Sequence, residues 1–360
     1  MTSRCAKTPM PRVTGAFLVA ALLLQGSGEI ASASKGAESD PGVLSVPAEF
    51  VSSFRLPGIE DHIRRPSALF VDHTHGEVLV GDSAFNRLVI FDESGIYRYE
   101  FSFTDQVGSV VSLAVDSSGF VYVLGTSREG RRVLKYDFDG VFLDEVRIAG
   151  VDSRTLESLT VDDEDRIIVI DVQGICTVAE PGGAAVLSFD TMGDLSDTDA
   201  REVVRGTPRA HRGLLYVPAS SLGSVLVFEL DSGRALPSIG FKGNTPGQFN
   251  FPVDVDILPS GIVVVLDKMR FNVLCFSPSG RFLGEFGGKG YRDGWMYHPT
   301  LLAAISEDQV IVGQVLDHRV QVLRVPEFVF ERLPREPEPD RREGTDVKGA
   351  GGPGTDPRSP

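Results

Sequence analysis

Six histidines are spread along the 360-residue chain, at His62, His73, His75, His211, His298 and His318. Imidazole is a common zinc ligand, and a catalytic zinc site needs about three protein ligands converging on one point. His73 and His75 have the two-residue spacing of ligands on one face of a strand, but Asp72 to Gly76 reads as a turn in which both rings meet solvent. His318 stands directly before Arg319-Val320, where Asn86 stands before Arg87, so it reads as a variant of a recurring position. His298 precedes Pro299 in a linker, and His62 and His211 fall in loops. No three histidines share an equivalent position, so no catalytic residue and no metal ligand set is assigned. Carboxylates could hold calcium, and Asp82, Asp171 and Asp267 each close an apolar run. Their recurrence at one place argues for a job done in every unit, accepting hydrogen bonds from backbone amides or from an Arg that follows. Asp82 with Arg87 is the clearest case, and Arg319 fills the Arg position in the last unit. There is no Ser, His and Asp arrangement on a nucleophile turn, no phosphate-cradling glycine loop between strand and helix, and no metal-spaced cysteine pair. Cys176 and Cys275 sit in apolar runs and read as buried free thiols. The richest cluster is Tyr291, Arg292, Trp295, Tyr297 and His298, residue types that dominate binding hot spots. The structural alternative is that Trp295 and Met296 plug a groove, as Gln248 and Phe249 would in a sister segment.

The elements that position these residues recur at a period of roughly 44 to 49 residues, the mark of a propeller or solenoid. Each unit is an apolar strand ending in Asp, a turn, a second β-branched strand ending in Asp, then a third strand. The clearest copy runs from Pro66 through Val71-Asp72, Val78-Leu79-Val80-Gly81-Asp82 and Asn86-Arg87-Leu88-Val89-Ile90-Phe91 to Gly95. Later copies centre on Val115-Asp116, Val161-Asp162, Leu214-Leu215-Tyr216-Val217, Val255-Asp256 and Leu302-Ala303-Ala304-Ile305. The fourth copy departs most, with Pro218 where the second strand would end in Asp. Turn pairs such as Ser94-Gly95, Ser118-Gly119, Asp139-Gly140 and Ser279-Gly280 separate the strands. Runs such as Ile262 to Leu266 are apolar throughout, as expected for a sheet sandwiched between two others. Closing six sheets into a ring leaves no end sheet exposed.

With strand, Val-Asp, Gly turn, Val-x-Val-x-Asp, Asn-x-Arg-Val and Phe-Asp-x-x-Gly in that order, the chain resembles the NHL repeat family, and in particular exported bacterial-type members. The linkers strengthen the resemblance, because Phe286-Gly287-Gly288-Lys289-Gly290 to Pro299 parallels Ile239-Gly240-Phe241-Lys242-Gly243 to Pro252 with equal Gly-to-Pro spacing. The resemblance implies an all-β fold, a six-bladed β-propeller of four-stranded antiparallel blades over residues 46–330. It also implies that the first strand of the chain completes the last blade, so that Phe50 to Leu56 pairs beside Val320 to Val325; Phe328 to Phe330 is the competing segment. Enzymes of similar pattern, the peptidylglycine amidating lyases and the lactonase-like propellers, hold zinc or calcium near the tunnel. A metal-dependent lyase or hydrolase is therefore the alternative to a binding scaffold, although no cofactor is expected.

Residues 1–33 have the layout of a signal peptide: Arg4, Lys7 and Arg12, the apolar stretch Val13 to Leu24, then Ala31-Ser32-Ala33. About 12 apolar residues fall short of the roughly 20 that span a bilayer. Export to the periplasm or the extracellular space is expected, with no stable membrane anchor after cleavage, followed by a flexible linker over 34–45. Residues 331–360 are rich in Pro, Gly and charge and read as a disordered tail. The net charge is −15, and a body so acidic repels phosphate backbones, which excludes nucleic acid as a partner class. A monomer that binds a protein or peptide through its loop faces is the expected function.

Overall fold

The inner strands of each sheet find apolar neighbours on both faces, and the reason is the arrangement of the sheets. The computed structural model describes residues 45–58, 62–103, 107–193 and 203–333; the expected leader, almost all of the expected linker and all but the start of the expected tail lie outside the described residues. Six sheets form a six-bladed β-propeller. Blade 1 is Pro66–Asp72, Glu77–Asp82, Arg87–Asp92 and Tyr97–Ser102. Blade 2 is Ser109–Val115, Val121–Ser127, Gly130–Tyr136 and Phe142–Glu145. Blade 3 is Leu156–Val161, Ile167–Asp171, Ile175–Ala179 and Ala185–Asp190. Blade 4 is Arg209–His211, Leu214–Ala219, Ser224–Glu229 and Ala235–Ile239. Blade 5 is Pro252–Ile257, Val263–Asp267, Asn272–Phe276 and Phe282–Gly287. Blade 6 takes Pro299–Ala304, Gln309–Gln314 and Arg319–Arg324, and its outer strand is Glu49–Ser53 from the start of the described chain.

Six apolar seams join the blades, one between each pair of neighbours. Blade 5 shows how the residues divide: Val263 and Val265 enter the seam with blade 4, while Leu266 and Val264 enter the seam with blade 6. Side chains alternate between the two faces of a strand, and both faces are covered, so the strand carries no polar alternation.

The ring closes as the sequence indicated. Phe50 pairs with Leu323 and Ser52 with Val322 in antiparallel register, and the Phe54 amide donates to the Val320 carbonyl at 2.9 Å. The competing segment lies in a short helix, α1 (Glu327–Glu331), with Val329 buried against the seam of blades 5 and 6. Two details add to the expected layout. Ser45–Val46 pairs in parallel with the outer strand of blade 5, giving that blade a fifth strand and covering an edge whose backbone groups would otherwise be unpaired. At the other end Leu333 still packs against the seam of blades 5 and 6, so the ordered body extends beyond residues 46–330. Among the described residues no helix is long and apolar enough to cross a membrane.

The first strands of neighbouring blades stand side by side around the axis. Asp254 and Asp256 of blade 5 accept the Leu302 and Ala304 amides of blade 6 at 2.8 and 2.9 Å, and Ser112 of blade 2 bonds the Leu159 carbonyl of blade 3 at 2.7 Å. Arg209 of blade 4 reaches across the tunnel. Its guanidinium lies 5.2 Å from the Phe70 ring of blade 1, and its Nε lies 3.1 Å from Asp256. The passage is therefore obstructed between its two mouths.

Candidate functional site

The linker that leaves blade 5 and enters blade 6 is built on glycine. Gly287 and Gly288 have φ of 139° and 147°, and Gly294 has φ of 81°, conformations that side chains resist. The Met296 amide donates to the Gly288 carbonyl, and the Gly290 amide donates to the Met296 carbonyl, both at 2.9 Å. Met296 is thereby driven into the seam, where it is fully buried. The preceding turn closes through the Trp295 amide and the Arg292 carbonyl at 2.9 Å. Two buried glutamines of blade 6 clamp this turn: Gln321 donates to the Trp295 carbonyl at 2.9 Å and accepts the Gly294 amide at 3.1 Å, and Gln314 accepts the Tyr297 amide.

Of the five residues singled out by the sequence, Tyr291, Tyr297 and His298 are brought into contact on this fixed backbone. Trp295 lies flat over the linker glycines, since a Cβ added at Gly288 or Gly290 would meet its ring at 3.0 and 3.1 Å; its outer face is open, and it is 41% exposed. Of the two residues offered as groove plugs, only Met296 fills the groove. Tyr291, 61% exposed, stacks against Tyr297 with ring centroids 4.3 Å apart, and Tyr297 meets His298 edge-on at 4.7 Å. Hydrogen bonding with Tyr297 raises the pKa of the Tyr291 hydroxyl. His298 holds a left-handed backbone, φ 50°, a conformation that costs a non-glycine residue about 1 kcal/mol or more. Arg292 points to solvent, while Arg319 donates to the Tyr291 carbonyl at 2.7 Å and pairs with Asp317 at 3.0 Å and Asp293 at 3.4 Å.

The recurring carboxylates hold backbone. Asp82 accepts the Arg64 and Arg65 amides of the incoming linker at 3.2 and 3.0 Å, and Asp267 accepts those of Asn250 and Phe251 at 2.6 and 3.0 Å. Asp171 accepts the Gln173 and Ile175 amides of its own turn, each at 2.9 Å. Arg87 lies 3.4 Å from Asp82 but pairs more closely with Glu100, at 2.9 Å. Gln314 stands at the same place in blade 6, opposite Arg319, which the repeat could have revealed had Gln been read as a substitute for Asp. Sequence reading also passed over the apolar tips Phe85, Met269 and Leu316, about half exposed. They occupy turns between second and third strands, at the same ends of the blades as the linkers, so they share a face with Trp295.

The histidines disperse. His75 bonds Asp72 at 2.7 Å, and His73 is exposed beside Glu93. His62 and His318 face each other with ring centroids 5.8 Å apart. His211 does not lie in a loop, as its surroundings in sequence indicated. It ends the first strand of blade 4 and lines the tunnel mouth with Asp163 and Asp256, where burial lowers its pKa. Among the described residues no three His, Cys, Asp or Glu side chains converge so as to hold a metal ion. Cys176 and Cys275 are buried free thiols in separate blades, and burial pushes both pKa values up.

No known family's sequence model matches the chain. A stretch of 89 residues is 34% identical to the E3 ubiquitin-protein ligase TRIM32 of Homo sapiens; it amounts to 25% of this chain and 12% of that protein.

Proposed function

We propose that this chain is an exported, non-catalytic scaffold of the NHL-repeat type that binds a protein or peptide through the face carrying the linkers and the turns between second and third strands. One observation carries the reading: Tyr291 and Trp295 expose large aromatic surfaces on a backbone clamped by the buried Gln314 and Gln321. Rigid aromatic anchors lose little entropy on binding, and such residues concentrate interface energy. Similarity over 89 residues to a protein named as a ubiquitin-protein ligase is in keeping with a protein partner. The acidic balance disfavours nucleic acid, and the chain acts as a monomer without a lasting membrane anchor. The metal-dependent lyase or hydrolase alternative gains no donor set from the described residues. Selection of a displayed peptide library on the purified protein tests the proposal. Enriched peptides are expected to lose at least about tenfold in affinity for a Trp295→Ala, Tyr297→Ala variant that melts normally. Peptides that bind the variant undiminished would refute it.

A further inference from the structure

The seam between blades 1 and 2 is not filled to its edge. A cavity of about 310 Å³ opens there, on the face opposite the linkers, a volume at the small end for ligand pockets. Its floor is apolar, with Leu79 of blade 1 and Val121 of blade 2. Three aromatic rings wall it: Tyr99 and Phe101 from the outer strand of blade 1, and Phe138 from a turn of blade 2. The Tyr99 hydroxyl donates to the Phe138 carbonyl at 2.8 Å, which ties the two blades together across the opening. Asp72 and Glu77 stand at the rim. Glu77, Asp137 and Asp139 bear on Tyr99 as anions and Arg98 as a cation; Asp72 carries His75 at 2.7 Å, and Arg98, itself 44% exposed, sits 3.1 Å from Glu77. Burial first and these carboxylates second push the Tyr99 pKa up to about 12.

An apolar floor, aromatic walls and a carboxylate rim suit one kind of group: an aliphatic stem ending in a cation, the stem lying on the floor and the charge meeting ring faces and carboxylates. The exposed Phe138 at the opening gives a polypeptide further apolar surface to lie on. We infer that this cavity is a receptor for a lysine side chain presented by a partner polypeptide. It is separate in place and chemistry from the linker face and does not depend on what that face binds.

The test uses the purified protein and three blocked tripeptides, Gly-Lys-Gly, its norleucine counterpart and its glutamate counterpart, with binding read from the ring resonances of Tyr99 and Phe101. The lysine peptide is expected to shift both residues, the norleucine peptide to bind about tenfold more weakly, and the glutamate peptide to leave them unmoved. Glu77→Gln should weaken the lysine peptide about tenfold without altering the fold, because Glu77 lies at the rim. Trp295→Ala should leave its binding unchanged, which separates this site from the linker face. Absence of shifts at Tyr99 and Phe101 up to saturating lysine peptide, or equal binding of lysine and norleucine, would overturn the inference.

Discussion

The linkers entering blades 5 and 6 close with the same set of backbone hydrogen bonds but carry different side chains. Gly240 to Pro252 and Gly287 to Pro299 share a parallel bridge, Lys242 with Phe249 in one and Lys289 with Met296 in the other. In both, the residue after the turn is fully buried, Phe249 or Met296. In both, an acceptor at the end of the next blade's second strand takes the amide that follows, Asp267 for Asn250 and Gln314 for Tyr297. One difference lies one residue earlier, where Gln248 in the first linker corresponds to the exposed Trp295 in the second; at the place of Gly288 the first linker instead exposes Phe241. Folding fixes the buried residue and the acceptor and leaves the exposed position to function. The comparison thus separates the part of the linker that builds the wheel from the part proposed to meet a partner.

The strongest way to break this division is to empty the buried position. Phe249→Ala is expected to cost about 3–5 kcal/mol and Met296→Ala about 2–5 kcal/mol in chemical denaturation, from lost burial plus the cavity left behind. Little loss in either would mean that the linker does not pack as described. Removing the acceptor comes next. Asp267→Ala orphans the amides of Asn250, Phe251, Met269 and Arg270 and should cost more than Gln314→Ala, which on its own should cost about 1–3 kcal/mol. Equal costs would deny that the carboxylate organises its turn.

A third test follows the chain into the next strand, where Asp254 of blade 5 corresponds to Leu301 of blade 6. Burial, with Asp256 adding to it and Arg209 opposing, raises the Asp254 pKa to about 8. Between the ordinary carboxylate value of about 4 and that raised value, the folded state keeps a proton that the unfolded chain has released. The contribution of Asp254 is therefore full below pH of about 4 and falls as pH rises towards 8. Asp254→Asn should flatten this part of the stability profile, by more than about 1 kcal/mol between its ends, as urea melts at several pH values would reveal. An unchanged profile would rule out a protonated Asp254. The smallest effect on stability belongs to the exposed position: Trp295→Ala and Gln248→Ala should each cost about 1 kcal/mol, less than emptying the buried position, yet only the first should weaken peptides selected on the linker face.

Much of this was legible in the residues. The cassettes, the two matched linkers and the closing strand near Phe50 carry local signals, since apolar runs, glycine turns and β-branched residues act at short range. Phe328-Val329-Phe330 misleads because its composition favours a strand. The edge it could have joined is already paired with Glu49–Ser53, so the chain turns into α1 after Pro326 and buries Val329. Ser45–Val46 is too short to show a period. His211 reads as loop because the first strand of blade 4 spans only Arg209–His211, too few residues for alternation to register. The bridge of Arg209, Asp256 and Phe70 across the tunnel joins blade 1 to blades 4 and 5, distant from it in sequence, and no local pattern announces such a contact. At the candidate site the aromatic residues were visible, while the buried Gln314 and Gln321 that fix them were not, because their partners are backbone groups set by the fold.

Hydrogen–deuterium exchange with a selected peptide bound to the intact protein tests the central claim most directly. Protection is expected over Gly288 to His298, with Gly240 to Phe251 exchanging as in the free protein. Protection of the first linker in place of the second, or of neither, would contradict the assignment of the binding surface to the Trp295 turn.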